Sequence, residues 1–301
     1  MLSHRLKTSA SFWGGLAALS LASIKHKTLG YIKPTGFSGS DLKQSIEHVT
    51  SIAEDYHNYA EIDGRRFVFE GANVLELGPG ATLGAGVLLA GLGIQSYRAI
   101  DAFPLARLAP KEFYLALADA EKSLPAIFDE KLIASAARSV AEGRDDLISY
   151  AFDPAFNARD LAGEKKFDLI VSNAAFEHFD DIDRTIREVS SRAAPGAFFI
   201  VGIDFQTHTR VIRERDPNNI YRFPAPLYQA LHFPGQPNRR RPKDYVNALV
   251  REGWTNVVVR PVSVASPSYS NLTRGGLDSE FRDDDCDMHI LTCFVAAERQ
   301  R

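Results

Sequence analysis

Two hydrophobic periodicities organise this chain. From Ser40 to Ala60, apolar residues fall at Leu42, Ile46, Val49, Ile52, Ala53 and Tyr56, the spacing of one helix face, with Ser40 or Asp41 placed to cap it. Arg66–Phe69 reads as a short strand or core edge before Gly71. Val74, Leu75 and Leu77 then form a buried strand that breaks at Gly78 and Gly80 into a helix through Leu83–Ala90, closed by Gly91 and Gly93. Further strands are predicted at Ser96–Asp101, at Leu147–Phe152, at Phe167–Asn173, and at Ala197–Ile203 after a Pro195–Gly196 turn. The continuous apolar run Leu169–Val171 suits a strand buried on both faces. Residues 102–146 read as a mostly helical insertion (Ala106–Leu124, Ile133–Ala141), and another helix runs from about Asp181 to Ala193. Pro242 opens and Gly253 closes a helix over Lys243–Arg251. Val257–Ser263 and His289–Ala296 supply closing strands, and the polar stretch 266–287 between them reads as a loop. Strands alternating with helices on this scale imply an α/β fold with a mainly parallel sheet.

The N-terminal pattern is different. An apolar run, Ser11–Ile24, is flanked by Arg5, Lys7, Lys25, Lys27 and Lys33, and the first acid is Asp41. The run is shorter than the ~20 residues that span a bilayer, and no small-x-small cleavage site precedes Lys25. It reads as a helix packed on the domain, with an interfacial helix on anionic lipid, through residues 1–33, as the alternative. The expected division is a helical N-terminal extension, 1–65, and a catalytic domain, 66–301, carrying an insertion at 205–243. Composition adds little: 301 residues, 45% apolar, net charge −3, ordinary for a globular protein. Cys286 and Cys293 are too few for a disulfide framework or a zinc site, so no metal is expected and the thiols suit a cytoplasmic protein.

The candidate chemistry sits where strands end. A strand breaking at glycines into a helix makes a cofactor cradle, since glycine lets the backbone approach a ligand closely. Glu76, two residues before Gly78, would repel a pyrophosphate and suits a ligand carrying positive charge. Asp101 ends the next strand, where an acid accepts hydrogen bonds from ribose hydroxyls in several cofactor classes. Asp153, Asn173, His178 and Asp204 also fall at or just after strand ends, the edge where open α/β sheets bind ligands.

Glu76-Leu-Gly78-Pro-Gly80 resembles motif I of class I S-adenosylmethionine-dependent methyltransferases, and Phe167–His178 resembles their motif IV. The resemblance covers about residues 72–204. It implies a Rossmann-like sheet of seven strands, helices on both faces, with the last strand antiparallel beside the fifth. It implies S-adenosylmethionine as cofactor, held by Glu76, Gly78, Gly80, Asp101, Asp153 (toward the adenine) and Asn173. The arrangement Asp204-x-x-x-His208 with Asn238–Tyr245 is similar to methyltransferases of bacterial surface-glycan pathways.

For the acceptor, an alcohol needs a base during attack, and His178 and His208 are the candidates, with Asp204 placed to orient His208. Between Phe205 and Lys243, seven arginines and one lysine face only Glu214 and Asp216, which favours an anionic partner. Arg239, Arg240 and Arg241 are the expected clamp for it. No nucleic-acid recognition motif accompanies these charges. The expected reaction is O-methylation of a hydroxyl on an anionic glycan or related small molecule. A nicotinamide-dependent oxidoreductase or epimerase, and a catalytically silent cofactor-binding protein, are the alternatives.

Overall fold

A computed structural model describes residues 2–30, 37, 41–120 and 124–300. Ser40, Lys33 and residues 121–123 of the predicted insertion lie outside the described residues. The strands are β1 (Glu61–Ile62), β2 (Arg65–Arg66), β3 (Asn73–Leu77), β4 (Ser96–Asp101), β5 (Ile148–Phe152), β6 (Phe167–Asn173), β7 (Ala193–Asp204), β8 (Trp254–Val264) and β9 (Ile290–Arg299). The helices are α1 (Leu2–Leu29), α2 (Leu42–Asn58), α3 (Gly84–Ala90), α4 (Lys111–Ala118), α5 (Glu130–Ala141), α6 (Ala158–Ala162), α7 (Ile182–Ser190), α8 (Arg210–Arg213), α9 (Ala225–Ala230), α10 (Pro242–Arg251) and α11 (Pro267–Arg274).

Seven strands form one sheet in the order β5-β4-β3-β6-β7-β9-β8. The pairs from β5 to β7 are parallel, while β9 inserts antiparallel between β7 and β8, with Phe199 opposite Ala297 and Ile203 opposite Cys293. This is the topology that the motif resemblance implies. Chain order reverses beside β3: its helical crossover leads to β4 on one side, and β6 lies on the other. That switch point is where an open sheet leaves a crevice.

Period-two alternation divides the core. Val74, Leu169, Val171, Phe198 and Ile200 pack on one face under α2, α3, α4 and α5. Leu75, Leu77, Ile170, Phe199 and Val201 pack on the other with Ile186 of α7, Leu249 of α10 and Trp254. A third cluster lies off the sheet: Leu19 of α1 with Ile220, Tyr221, Phe223, Tyr228, Leu277 and Phe281. The first 65 residues therefore contribute to two bodies. Helix α2 joins the sheet's core through Val49, Ala53 and Tyr56, while α1 joins a cap built from 205–243 and 277–288.

Several sequence expectations need correction. Pro195–Gly196 is not a turn but part of β7, with Gly196 at φ +77 and a register shift opposite Phe167 and Leu169, so the strand bends without ending. Of the two readings of Arg66–Phe69, the core edge holds and the strand does not: Phe67 and Phe69 pack on the core, while pairing with Glu61–Ile62 is confined to Arg65–Arg66. The stretch 266–287 is not a loop throughout: Ser266 caps α11 by accepting from Tyr269 N, with Pro267 in the first turn. The helix predicted over Ala106–Leu124 is shorter, because α4 starts only after Pro110. Asp41 does cap α2, accepting from Gln44 N at 3.1 Å.

Candidate active site

A cavity of about 610 Å³ opens at the carboxyl ends of β3, β4, β5 and β6, at the switch point. Gly78 and Gly80 form one wall, in left-handed conformation at φ +67 and +72. At Gly78 a Cβ would stand 2.5 Å from the Cβ of Ala175, so the β3 and β6 turns meet at a spot only glycine fits. A Cβ at Gly80 would meet no atom within 4 Å, so there the backbone itself borders open space.

Two buried carboxyls stand at this turn. Asp101, 8% exposed, lines the cavity and accepts from Phe103 N at 3.2 Å. Burial pushes it up to about 6. Glu76, 2% exposed, sits behind the glycines; Tyr56 of α2 donates to its Oε1 at 2.7 Å, and Oε2 has no partner among the described residues. Burial raises it to about 7, against the opposing hydrogen bond from Tyr56. Of the other expected cofactor residues, Asp153 is exposed and occupied in its own turn, accepting from Ala155 N at 2.9 Å. Its successors Pro154, Ala155 and Phe156 line the cavity instead. Asn173 packs over Gly202, where a Cβ would come within 2.5 Å of its Oδ1.

Aromatic rings furnish the walls. Phe156 stacks on Phe179, centroids 4.8 Å apart. Phe156 and Ala174 both hold positive φ, +42 and +51, a conformation that costs a non-glycine residue ~1–3 kcal/mol and concentrates at functional sites. Phe233, Pro234 and Gly235 enter from the 205–243 insertion, and His26 of α1 stacks on Phe233 at 4.6 Å, so the cap closes one side. Arg184 of α7 also lines the cavity.

His178 projects from the turn after β6. Its Nδ1 lies 2.7 Å from the carbonyl oxygen of Gly235. A carbonyl only accepts, so Nδ1 carries the proton and Nε2 keeps its lone pair. Burial lowers the ring's proton affinity below the usual histidine value. His208 stacks edge-on against His178 at 4.8 Å. Desolvation around the ring, then the neighbouring His178, push His208 down to about 4, although the residue as a whole stays exposed. Glu177, 3% exposed, is raised to about 8 by burial, and its Oε2 has no partner among the described residues.

Sequence reasoning placed Asp204 beside His208 as its orienting acid. The structure commits that carboxylate to Arg213 at 2.6 Å and to Gln206 N at 3.0 Å. The arginine clamp is also corrected. Arg241, 1% exposed, donates to the carbonyls of Cys286, Asp287 and Ile290 and lies over Phe205. Arg239 donates to the carbonyls of Ile220 and Phe223 and lies over Tyr228. Both guanidiniums tie the cap together, and only Arg240 is exposed. Tyr56, Arg184 and the Phe233–Gly235 wall escaped the sequence reading, because none lies in a motif and each reaches the site by tertiary packing.

A family model described as a methyltransferase domain matches residues 52–257. No curated protein sequence matches the chain. Among solved structures, the chain is similar to Haemonchus contortus phosphoethanolamine N-methyltransferase 2 in complex with S-adenosyl-L-methionine (15% identity, TM-score 0.42), covering 77% of this chain and 49% of that one. It spans, therefore, about half the length of that protein. It is similar to the CurJ carbon methyltransferase (14% identity, TM-score 0.49), covering 100% and 70%. It also resembles an S-adenosylmethionine-dependent methyltransferase from Mesorhizobium loti (17% identity, TM-score 0.41), covering 77% and 93%.

Proposed function

Since the chain belongs to the methyltransferase-domain family, we propose that it transfers the methyl group of S-adenosylmethionine to a hydroxyl of an anionic glycan or related small molecule. The observation that carries this reading is one cavity at the switch point joining Gly78, Gly80 and Asp101 to His178.

The residues present suit that cofactor. Two buried carboxyls, one with an unpartnered oxygen, stand beside a turn whose glycines leave room for a ligand. A ligand with positive charge and ribose hydroxyls offers them what the protein withholds, whereas a pyrophosphate would meet like charge. Asp101 would hold the ribose, Gly78 and Gly80 would give backbone contact, and Phe103 and Phe156 would flank the base. Glu76 would act through the turn, from behind it. When bound, the cofactor supplies a methyl group already activated on a sulfonium.

His178 is the better base of the two histidines. It lines the cavity, and its Nε2 lone pair is free to take the hydroxyl proton while Gly235 holds the ring in place. His208 packs against that ring from outside the cavity wall. Phe156, Phe179 and Phe233 line the cavity and would limit the freedom of a bound hydroxyl. With Arg239 and Arg241 occupied internally, the arginine that lines the cavity is Arg184, whose Nε donates to Glu188 at 2.7 Å while its terminal nitrogens would face an anionic acceptor; Arg240 is exposed but outside the cavity lining.

Titration calorimetry with S-adenosylhomocysteine, with NAD as control ligand, tests the cofactor half. Binding of the first and not of NAD is expected. Heat with NAD alone would move the protein to the oxidoreductases.

A further inference from the structure

Glu177, His178 and His208 each present one ligand atom, and the three atoms all lie within 4.8 Å of one another. We propose that these side chains form a site for a divalent transition cation of the Zn²⁺ type, bordering the cavity at His178. Two imidazoles and one carboxylate are a donor set that such cations take, with positions left open for an exogenous oxygen. Three features of the structure support it. The Glu177 Oε2 is buried without a partner among the described residues, an arrangement uncommon in folded proteins unless a further group satisfies it. The Gly235 carbonyl accepts a hydrogen bond from Nδ1–H of His178, leaving Nε2 as the ligand, the outer-sphere pattern that orients metal-binding histidines. His208 lies on a loop, exposed as a residue and edge-on against His178, so a shift of ~1 Å would let the three atoms contract to metal–ligand bonds of about 2.0–2.2 Å.

The site deepens the proposed methyl transfer and rests on it only for its purpose. A cation there would bind the acceptor hydroxyl: the O–H bond breaks, a metal–oxygen bond replaces it, and the proton leaves to solvent. His178 would then serve as ligand in place of base.

Zn²⁺ titration of untagged, chelator-treated protein tests the site, followed by calorimetry, with His208→Ala and His232→Ala in parallel. One equivalent is expected on wild type and on His232→Ala, weakened at least ~10-fold in His208→Ala, the loss typical when a metal site is disturbed. S-adenosylhomocysteine is titrated into the same preparations. Retained homocysteine-product binding in His208→Ala shows that the fold and the cofactor half stand, whatever the metal result. No Zn²⁺ heat on wild type, or heat indifferent to His208→Ala, overturns the metal site while leaving the methyltransferase reading intact.

A separate observation concerns α1. Its inner face (Phe12, Leu16, Leu19, His26) packs on the cap, yet Trp13, Leu21, Ile24 and Leu29 are 65%, 68%, 57% and 72% exposed. Positions 13, 21 and 24, with exposed Ala17 between, fall on one helix face. Lys25 is exposed beside that face, and no acid precedes Asp41. No helix among the described residues is long and apolar enough to cross a membrane. We infer that this outer stripe docks on an anionic lipid surface. Sedimentation with phosphatidylglycerol vesicles and with phosphatidylcholine vesicles tests it, on wild type and on Leu21→Glu/Ile24→Glu. Salt-sensitive binding to the anionic vesicles, lost in the variant, is expected. Absence of binding, or a dimer in ultracentrifugation that the variant dissociates, would sink it.

Discussion

The hydroxyl of Tyr56 donates to Glu76 Oε1 at 2.7 Å, and this bond ties α2 to the strand that ends in the glycine turn. Among the described residues the second oxygen of Glu76 has no partner. Tyr56→Phe should therefore leave a fully buried carboxyl unpartnered and cost about 1–3 kcal/mol of stability. Urea denaturation measures this directly. An unchanged midpoint would mean that the bond contributes nothing.

The two carboxyls at the turn also set a pH dependence. Glu76 and Asp101 are held at about 7 and about 6, above the ordinary carboxylate range, so the folded state binds protons that the unfolded state has released. Stability should accordingly fall as pH rises from about 4 toward 7, by roughly 1.4 kcal/mol for each unit of displacement. Glu76→Gln, which mimics the protonated form, should flatten the decline. Denaturation midpoints at pH 5 and pH 8 decide the matter, and a stability that rises over this window would contradict the burial argument.

Asp101 lines the cavity and Asp153 does not. Asp101→Ala should weaken S-adenosylhomocysteine binding by about 10–100-fold, the worth of hydrogen bonds to a charged acceptor. Asp153→Ala should change it far less. Calorimetry on the two variants side by side checks the contrast, and equal losses would show that the adenine loop reshapes on binding.

His178→Ala should lower turnover by roughly 100-fold or more while S-adenosylhomocysteine still binds. Burial lowers the ring's proton affinity, so the rate should hold constant through neutral pH and fall only on the acid side. A rate indifferent to the substitution, measured on an established acceptor, would remove His178 from the chemistry.

Arg241 and Arg240 are neighbours with opposite fates. Arg241→Ala deletes three donations to the carbonyls of Cys286, Asp287 and Ile290 and should destabilise the protein by about 1–3 kcal/mol or more, because buried carbonyls lose their donor. Arg240→Ala should leave stability within about 0.5 kcal/mol of wild type. Thermal denaturation separates them. If Arg241→Ala melts like wild type, the residue is not holding the cap.

The chain's own pattern determined the sheet and one edge of the site. Short apolar runs ending in Glu76-Leu-Gly78-Pro-Gly80, Asp101 and His178 are local signals: strand period, glycine dihedrals and polar residues at strand ends are all properties of neighbours in sequence. The antiparallel β9 followed from resemblance, since antiparallel insertion leaves no mark in a ten-residue apolar strand. What packing decided is the fate of side chains. Three consecutive arginines look alike in sequence, yet two became internal struts because the cap folded carbonyls and rings around them. Asp204 and His208 are four residues apart, but the acid found Arg213 and the ring found His178. Tyr56 lies twenty residues before Glu76, and Gly235 lies 57 residues after His178; both partners are set by how α2 and the cap dock on the sheet. Proton affinities followed from that docking, because burial is a property of the assembled fold and never of a residue's place in the chain.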